Sequence, residues 1–365
     1  MRVYTFLMGL AGVSLLPLSG RAQIQKDSSK VISPLDSNYF QIKQTSAFDS
    51  SYYKTYPKTF TARAFISRKY TRLLVSEPGG ILTYRPNTPP NLGIGATYRF
   101  ITLNISAGLG FFTPTDQKGK TRYLDLQTHI YWRTITVDVF AQFYRGYFLD
   151  PKTLNQSQDT PYVRPDVKVS MVGIASYYVF NFRRFSYRSS LVQSEWQKKS
   201  AGSLLAGWEI YYGNIRADST LAPKSVVADS TGRNIHGAHF FEMGPGIGYV
   251  YTFVFQKHYF VTGNATIHAA LGYTREYGDG KFDHVAVNPT ITYRVAAGYN
   301  GNVWGFNASW VNNQVAVSGV DANQAYRVKA GMYQLTAARH FGLSSRIRRK
   351  INAVQDKMKE TIIGQ

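Results

Sequence analysis

Cysteine is absent from the whole chain of 365 residues. Its absence excludes a disulfide scaffold, a thiol catalyst and a lipid-modified N-terminal cysteine. Long hydrophobic runs are also lacking, because no apolar segment beyond the N-terminus reaches the roughly 18 residues of a membrane helix. The chain has no Gly-x-Ser-x-Gly elbow, phosphate-binding loop or dinucleotide fingerprint. A helical membrane protein is therefore excluded, we expect no cofactor and no metal, and an enzyme is the less favoured alternative.

The N-terminus has the pattern of an export signal. Arg2 supplies a positive charge, residues 3–18 are largely apolar, and Gly20 and Ala22 provide the small residues of a cleavage site. Secretory signal peptides share this arrangement, so we predict that residues 1–22 are removed. The chain is then expected to leave the cytoplasm.

The segment that follows the signal differs in composition. Residues 23–58 are rich in Ser, Asp, Lys and Tyr and show no sustained hydrophobic period. We predict a periplasmic linker, or a plug segment that enters the fold.

Acidic residues are scarce, with 21 Asp and Glu against 42 Lys and Arg, for a formal charge of +21. Loss of Arg2 and Arg21 with the signal leaves +19. An exported chain of this charge meets anionic lipid rather than nucleic acid. The expected partners are outer-membrane lipid and the phosphates of anionic head groups or lipopolysaccharide. The oligomeric state stays open.

From Thr59 to Phe341, apolar residues alternate with Gly, Ser, Thr and Asn in long segments. Leu103, Ile105 and Ala107, for example, are separated by Asn104 and Ser106. The segments exceed the ~5–6 residues of an ordinary globular strand. Small polar residues suit a barrel lumen, and aromatic residues gather near segment ends as in the interfacial girdles of membrane barrels. This pattern predicts an all-β, transmembrane antiparallel β-barrel over residues 59–341.

Short turns alternate with longer loops, as in bacterial outer-membrane barrels with both termini in the periplasm. We predict twelve crossings, with ten or fourteen as alternatives. They are 59–75, 80–100, 101–112, 121–133, 134–148, 167–182, 201–214, 238–256, 258–274, 283–299, 302–317 and 324–341. Crossing 80–100 contains Pro86, Pro89 and Pro90 and requires a loop or bulge.

Segment 184–200 breaks this alternation unless it is an insertion that does not span the bilayer. We consider it a candidate specialised segment, a constriction or periplasmic contact, against the plainer alternative of a long turn. Its candidate residues are Gln193, Glu195, Trp196, Lys198, Lys199 and Ser200.

Residues 342–365 have the spacing of a helix. Ser344 can cap it, and apolar residues such as Ile347, Ile351 and Met358 recur among many Arg and Lys. We predict a short, basic, amphipathic C-terminal helix that lies on an anionic leaflet, plugs the periplasmic mouth or is a solvated tail.

Two stretches carry a family resemblance. Residues 82–98, from Leu-Thr-Tyr-Arg-Pro-Asn to Leu-Gly-Ile-Gly-Ala-Thr-Tyr, and residues 186–203, including Gln-Lys-Lys-Ser-Ala-Gly-Ser, resemble a Bacteroidota-type envelope family of unknown function. The resemblance covers about residues 50–341. It implies an outer-membrane β-barrel-like domain and no assigned activity.

Charged and ionisable side chains of both signs are expected to project into the lumen. This candidate polar cluster comprises Asp125, His129, Asp138, Glu209, Glu242, His268, Arg294 and Arg327. Around the tight turn at Arg133, an antiparallel register places His129 opposite Asp138. No Ser lies on this face nearby, so a lumen hydrogen-bond network is favoured over a catalytic base, and we assign no catalytic residue.

The function expected from the sequence is an outer-membrane β-barrel with a structural, binding or narrow-channel role and a partly blocked lumen. One alternative is a barrel enzyme acting on envelope lipid. The other is a soluble exported β-barrel or sandwich binder.

Overall fold

The computed structural model describes residues 48–56, 59–77, 80–98, 101–110, 116–149, 160–222, 234–320 and 324–342. The predicted signal peptide, most of the predicted linker and the predicted C-terminal helix lie outside these residues. The described part of the chain contains fifteen strands. They are β1 (Tyr53–Thr55), β2 (Thr59–Glu77), β3 (Gly80–Arg85), β4 (Asn91–Tyr98), β5 (Ile101–Gly108), β6 (Arg122–Tyr131), β7 (Ile135–Leu149), β8 (Tyr162–Val179), β9 (Glu195–Gln197), β10 (Ala201–Arg216), β11 (Gly237–Phe255), β12 (Tyr259–Tyr277), β13 (Lys281–Asn300), β14 (Trp304–Ser318) and β15 (Ala325–Gly342).

Ten of these strands close into an antiparallel ring. The order is β2, β15, β14, β13, β12, β11, β10, β8, β7 and β3, which pairs again with β2. The first and last long strands meet along their length, from Thr59 opposite Gly342 to Ser76 opposite Ala325. Closure pairs the backbone groups that an open sheet would leave at its edges.

The predicted count of twelve strands is not confirmed, because three strands stand outside the closed ring. Pro86, Pro89 and Pro90 interrupt crossing 80–100, since proline lacks the N–H that a ladder needs. As a result, β3 and β4 pair with different halves of the same edge of β2. β5 pairs with β4, and β6 pairs with β7, but no pairing joins β5 to β6 among the described residues.

Along most of each strand, side chains alternate between the inside and the outside of the ring. On β12, Thr262, Thr266 and His268 are buried inside, whereas Ile267 and Leu271 are exposed outside. In a water-soluble protein the apolar side chains would face inward, but around this ring large apolar side chains cover the outer wall. None of the helices in the described residues is both long and apolar enough to cross a membrane.

The two ends of the barrel differ. The termini end contains Phe60 opposite Phe341 and has tight turns at 132–134, 256–258 and 301–303. At the loop end lies the longer connection between β10 and β11. The predicted alternation of short and long connections holds only in part, because 278–280 at the loop end is as short as the turns at the termini end. The longer segment 180–200 joins β8 to its neighbour β10 at the termini end without crossing the barrel.

The core of this protein lies inside the ring. At the loop end, one cluster of buried apolar side chains includes Tyr84, Tyr147, Tyr211 and Tyr326 from four different strands. A second cluster lies at the termini end around Tyr177 and includes residues of the insertion 180–200. Between these clusters lies a polar layer.

Candidate functional site

The polar layer is centred on a buried ion pair that spans the lumen. Asp138 on β7 contacts Arg294 on β13, which occupies the opposite side of the ring of ten strands. Both side chains are buried. Arg294 also lies over the ring of Tyr177, 5.9 Å from its centroid. Because unpaired buried charges are costly, each of these two groups requires the other.

His129 is the third member of this layer. The predicted register is confirmed, since His129 lies directly opposite Asp138. The His129 Nδ1 atom is 2.6 Å from Asp138 Oδ1. In this geometry the imidazole N–H donates to the carboxylate, which already neutralises Arg294. Among the described residues, no hydroxyl group forms a hydrogen bond with His129 Nε2. The arrangement holds a carboxylate in place and lacks a nucleophile.

Three further residues of the predicted cluster, Glu209, Glu242 and His268, lie on the consecutive strands β10, β11 and β12. His268 Nδ1 is 3.2 Å from Glu209 Oε2, and both side chains are fully buried. The contact has ion-pair distance without hydrogen-bond geometry, since both atoms lack a hydrogen-bond partner among the described residues. Glu242 instead accepts a hydrogen bond of 2.8 Å from Asn288 Nδ2.

Asp125 belongs to a separate network beside β2. Its carboxylate accepts hydrogen bonds from Tyr144 at 2.5 Å and from Gln127 at 2.9 Å. The Lys69 ammonium lies 3.7 Å away and offsets the negative charge. Asp125 is therefore inside the barrel, as predicted, but does not contact Asp138 or His129.

The prediction that Arg327 projects inward is wrong. Its neighbours Tyr326 and Val328 are fully buried in the loop-end core, so alternation turns Arg327 to the outer wall. The reason is that the lumen is apolar at this height. A polar residue on β15 therefore does not mark the inner face there. Lys329 shares the outer face and lies opposite Arg72 of β2.

Segment 184–200 folds into the termini end of the lumen. It is called the plug segment from here on and is distinct from the predicted linker or plug over residues 23–58. It contains a π-helical turn, Arg188–Val192, and the short strand β9. Arg63 donates a hydrogen bond of 3.0 Å to the Val192 carbonyl, and Asn307 donates one of 2.6 Å to the Ser190 carbonyl. Two strands of the wall, β2 and β14, thus bind the turn.

The candidate residues of the plug segment have distinct contacts. Gln193 is buried in a left-handed conformation and donates a hydrogen bond of 3.3 Å to the Tyr299 carbonyl. Glu195 accepts a hydrogen bond from Ser186 and lies 3.4 Å from Arg188, and Trp196 donates a hydrogen bond of 2.6 Å to the Lys257 carbonyl. The backbone N–H groups of Lys198 and Lys199 donate to the Tyr52 carbonyl, and Ser200 Oγ accepts a hydrogen bond of 2.9 Å from Val254 N. Most of these bonds tie the plug segment to the wall and to the chain before β2.

The chain before the barrel seals the plug segment from outside. β1 pairs with β9, with Tyr53 opposite Gln197. Tyr53 is fully buried and donates a hydrogen bond of 3.0 Å to the Phe182 carbonyl. Burial raises the pKa of the Tyr53 phenol and likewise that of Tyr187 in the plug segment, so both hydroxyls stay neutral. The sequence does not predict β1, because a strand of three residues is too short to show a hydrophobic period.

The loop end of the lumen is closed by side chains. The Tyr84 hydroxyl donates to the Leu221 carbonyl at 2.6 Å, which fastens the connection after β10 into the barrel mouth. Asn313 donates to the Tyr211 hydroxyl at 2.5 Å across the interior. Tyr326 donates to Glu276 at 2.7 Å. The lumen is thus filled at both ends.

The described part of the chain contains no cluster of side chains that could hold a metal ion. No three or more His, Asp or Glu side chains converge there as ligands. His129 and His268 each face one carboxylate, the buried His340 is hydrogen-bonded to Thr61 instead, and Asp138 is already paired with a cation.

Taken together, the fold and the site define an antiparallel β-barrel with an apolar outer wall and a filled, polar-layered interior. The chain belongs to the family described as Domain of unknown function (DUF4421), whose model matches residues 47–338. No curated protein matches the chain in sequence.

Several solved structures are similar to this chain. The outer membrane protease OmpT from Escherichia coli shares 10% identity at a TM-score of 0.38, over 79% of this chain and 98% of that chain. The P. putida toluene transporter TodX shares 9% identity at 0.28, over 79% and 92%. Ail of Yersinia pestis, solved with the heparin analogue sucrose octasulfate, shares 11% identity at 0.20, over 77% and 99%. Such low identities and TM-scores carry no weight for function.

Proposed function

We propose that this protein is an outer-membrane β-barrel of a Gram-negative, Bacteroidota-type cell envelope, with a structural or binding role and a closed lumen. The observation that carries the proposal is the inverted distribution of side chains. Ile247 and Ile267 lie opposite each other at mid-height of the wall and are 68% and 52% exposed. Exposed apolar surface on this scale requires an apolar surrounding, which lipid provides.

The filled lumen favours a structural or binding role over a narrow channel. Solute passage requires a continuous polar path, and here the loop-end cluster and the plug segment occupy the two ends of the barrel. Between them, the polar layer is crosslinked by the Asp138–Arg294 pair. The binding surface is then the outside of the barrel and its two ends, rather than its interior.

The location follows from the same proposal. The predicted signal peptide delivers the chain across the inner membrane, and both ends of the barrel sheet emerge at the termini end, which we assign to the periplasm. The loop end then faces outward. The partners that suit the high positive charge are anionic head groups and lipopolysaccharide phosphates.

The proposal is tested by expressing the full chain and fractionating the cells. We expect extraction only with detergent, heat-modifiable migration on a denaturing gel, and no stable conductance of the wild-type protein in a planar bilayer. Recovery from a detergent-free periplasmic extract would support the soluble alternative. Stable conductance steps would support a narrow-channel role instead.

The alternative of an enzyme acting on envelope lipid receives no support from the described geometry. Its best acid–base pair, His129 and Asp138, is bound to Arg294 and lies inside a filled lumen. Hydrolysis of phospholipid or lipopolysaccharide by the purified protein, abolished by His129→Ala, would overturn this preference.

A further inference from the structure

Four basic side chains lie side by side on the outer wall near the loop end. Arg122 of β6 is opposite Arg145 of β7, Arg145 is opposite Lys168 of β8, and Lys168 is opposite Arg216 of β10. This set, here called the basic row, crosses four adjacent strands at one height. With a strand spacing of about 4.8 Å, it spans roughly 15 Å.

The basic row points outward. The residues next to it in the chain, such as Tyr144, Val167, Val169 and Ile215, are buried in the loop-end core. Alternation therefore places the four basic side chains on the opposite face. Three of them are exposed and Lys168 is half-buried.

Like charges in directly opposed positions repel each other and destabilise a sheet. Among the described residues, none of the four forms an ion pair with a carboxylate, and Arg216 contacts the neutral Asn214, to which it donates at 3.3 Å, and Tyr277. The nearest acidic side chain on β8, Asp166, is held by Arg164 through two hydrogen bonds of 2.7 and 2.8 Å. The repulsion within the row thus lacks a counter-charge from the described part of the protein.

The height of the row on the wall identifies the missing counter-charge. Towards the middle of the barrel, the next outward positions are Leu124 and Phe143 on β6 and β7, and Val172 and Tyr212 follow one outward position beyond Ser170 and Asn214 on β8 and β10. The basic row thus lies close to an apolar surface that suits acyl chains. A ligand that carries phosphates immediately next to acyl chains fits both surfaces at once.

We propose that the basic row binds the phosphate groups of a phosphorylated lipid in the leaflet at the loop end. This inference rests on the proposed membrane location and adds a binding site to it. The guanidinium groups of Arg122, Arg145 and Arg216 can each donate two hydrogen bonds to a phosphate. The lipid neutralises the row, and the row fixes the lipid on one side of the barrel.

The test uses the detergent-purified full chain and measures the temperature at which heat-modifiable migration is lost. The probes are lipopolysaccharide, the same lipopolysaccharide after enzymatic dephosphorylation, and inorganic phosphate. The test variant carries R122Q, R145Q, K168Q and R216Q. The matched control removes four charges at the termini end through R183Q, K199Q, K257Q and R339Q.

Lipopolysaccharide is expected to raise the transition temperature of the wild-type protein and of the control variant. The test variant should require at least about tenfold more lipopolysaccharide for the same shift, because four contacts with charged head groups are lost. Dephosphorylated lipopolysaccharide and inorganic phosphate should give no comparable shift. An equal response of the test and control variants would overturn the inference, and an equal response to inorganic phosphate would overturn its assignment to lipid.

A second measurement does not depend on the folding of the test variant. The lipopolysaccharide-induced shift of the wild-type protein should fall steeply between low and high salt, and a salt-independent shift would contradict the site. A separate observation would contradict the proposed membrane location, namely a wild-type protein that is soluble without detergent.

Discussion

Asp138 on one side of the barrel accepts hydrogen bonds from both His129, its cross-strand neighbour, and Arg294, which reaches it from the opposite side of the lumen. The single carboxylate therefore links two strands on opposite sides of the ring, which are otherwise connected only through the strands between them. Its burial makes this connection strong and makes its loss costly.

Asp138→Asn should destabilise the folded barrel by about 3–5 kcal/mol, because Arg294 is then left buried without a counter-charge. The measurement is urea unfolding in detergent micelles, followed by heat-modifiable migration. His129→Gln is the control, since it retains the Asp138–Arg294 pair and should cost much less. A larger loss for the His129 variant would show that the imidazole, rather than Arg294, holds the carboxylate.

Ile247→Arg should destabilise the barrel in a bilayer by about 2–4 kcal/mol, because the residue faces outward at mid-height of the wall. Phe255→Arg, at the termini end of the same strand, should cost no more than about 1 kcal/mol. Folding into lipid vesicles under urea measures both. A soluble barrel would tolerate the two substitutions equally, so equal values would contradict membrane insertion.

Replacement of residues 184–198 by a short Gly-Ser linker should leave the protein non-conducting in a planar bilayer. The loop-end core, with Tyr84, Tyr211 and Tyr326 fully buried, still closes the lumen. Thermal stability should nevertheless fall, since the hydrogen bonds from Arg63 and Asn307 lose their partners. Stable conductance of the deletion variant would instead identify the plug segment as the seal of a channel.

Gly207→Ala should destabilise the barrel by about 1–3 kcal/mol, because a Cβ atom would collide with the backbone carbonyl of Ser176 on β8. Gly263→Ala is the matched control, since no atom lies within 4 Å of its added Cβ. Urea unfolding in micelles should separate the two variants. Equal stabilities would mean that β8 and β10 can separate to accept the extra methyl group.

The register around the turn after β6 could be predicted from the sequence, because a tight turn fixes which residues face each other. His129 and Asp138 are only nine positions apart, so few registers compete. The contact between Asp138 and Arg294 could not be predicted in this way. The two residues are 156 positions apart, and only the closure of the ring brings them together.

The face of Arg327 could not be predicted, because alternation gives the period of a strand but not its orientation. On most strands the polar residues point inward, yet at the loop end Tyr326 and Val328 occupy the interior. Only the neighbouring strands, which supply the rest of the apolar cluster, decide between the two faces. The three prolines, in contrast, did locate the interruption of crossing 80–100 correctly.

The pairing of β1 with β9 has a kinetic consequence. Tyr52 and Gln197, which are hydrogen-bonded beside it, are 145 residues apart in the chain, and the contact between β2 and β15 is longer still. Loop-closure entropy makes such distant contacts slow to form. The seam between β2 and β15 runs the whole length of the barrel, so the ring closes only after β15 has been made. A chain that stops before β15 would therefore keep the edges of β2 and β14 unpaired, and such edges can pair with other chains.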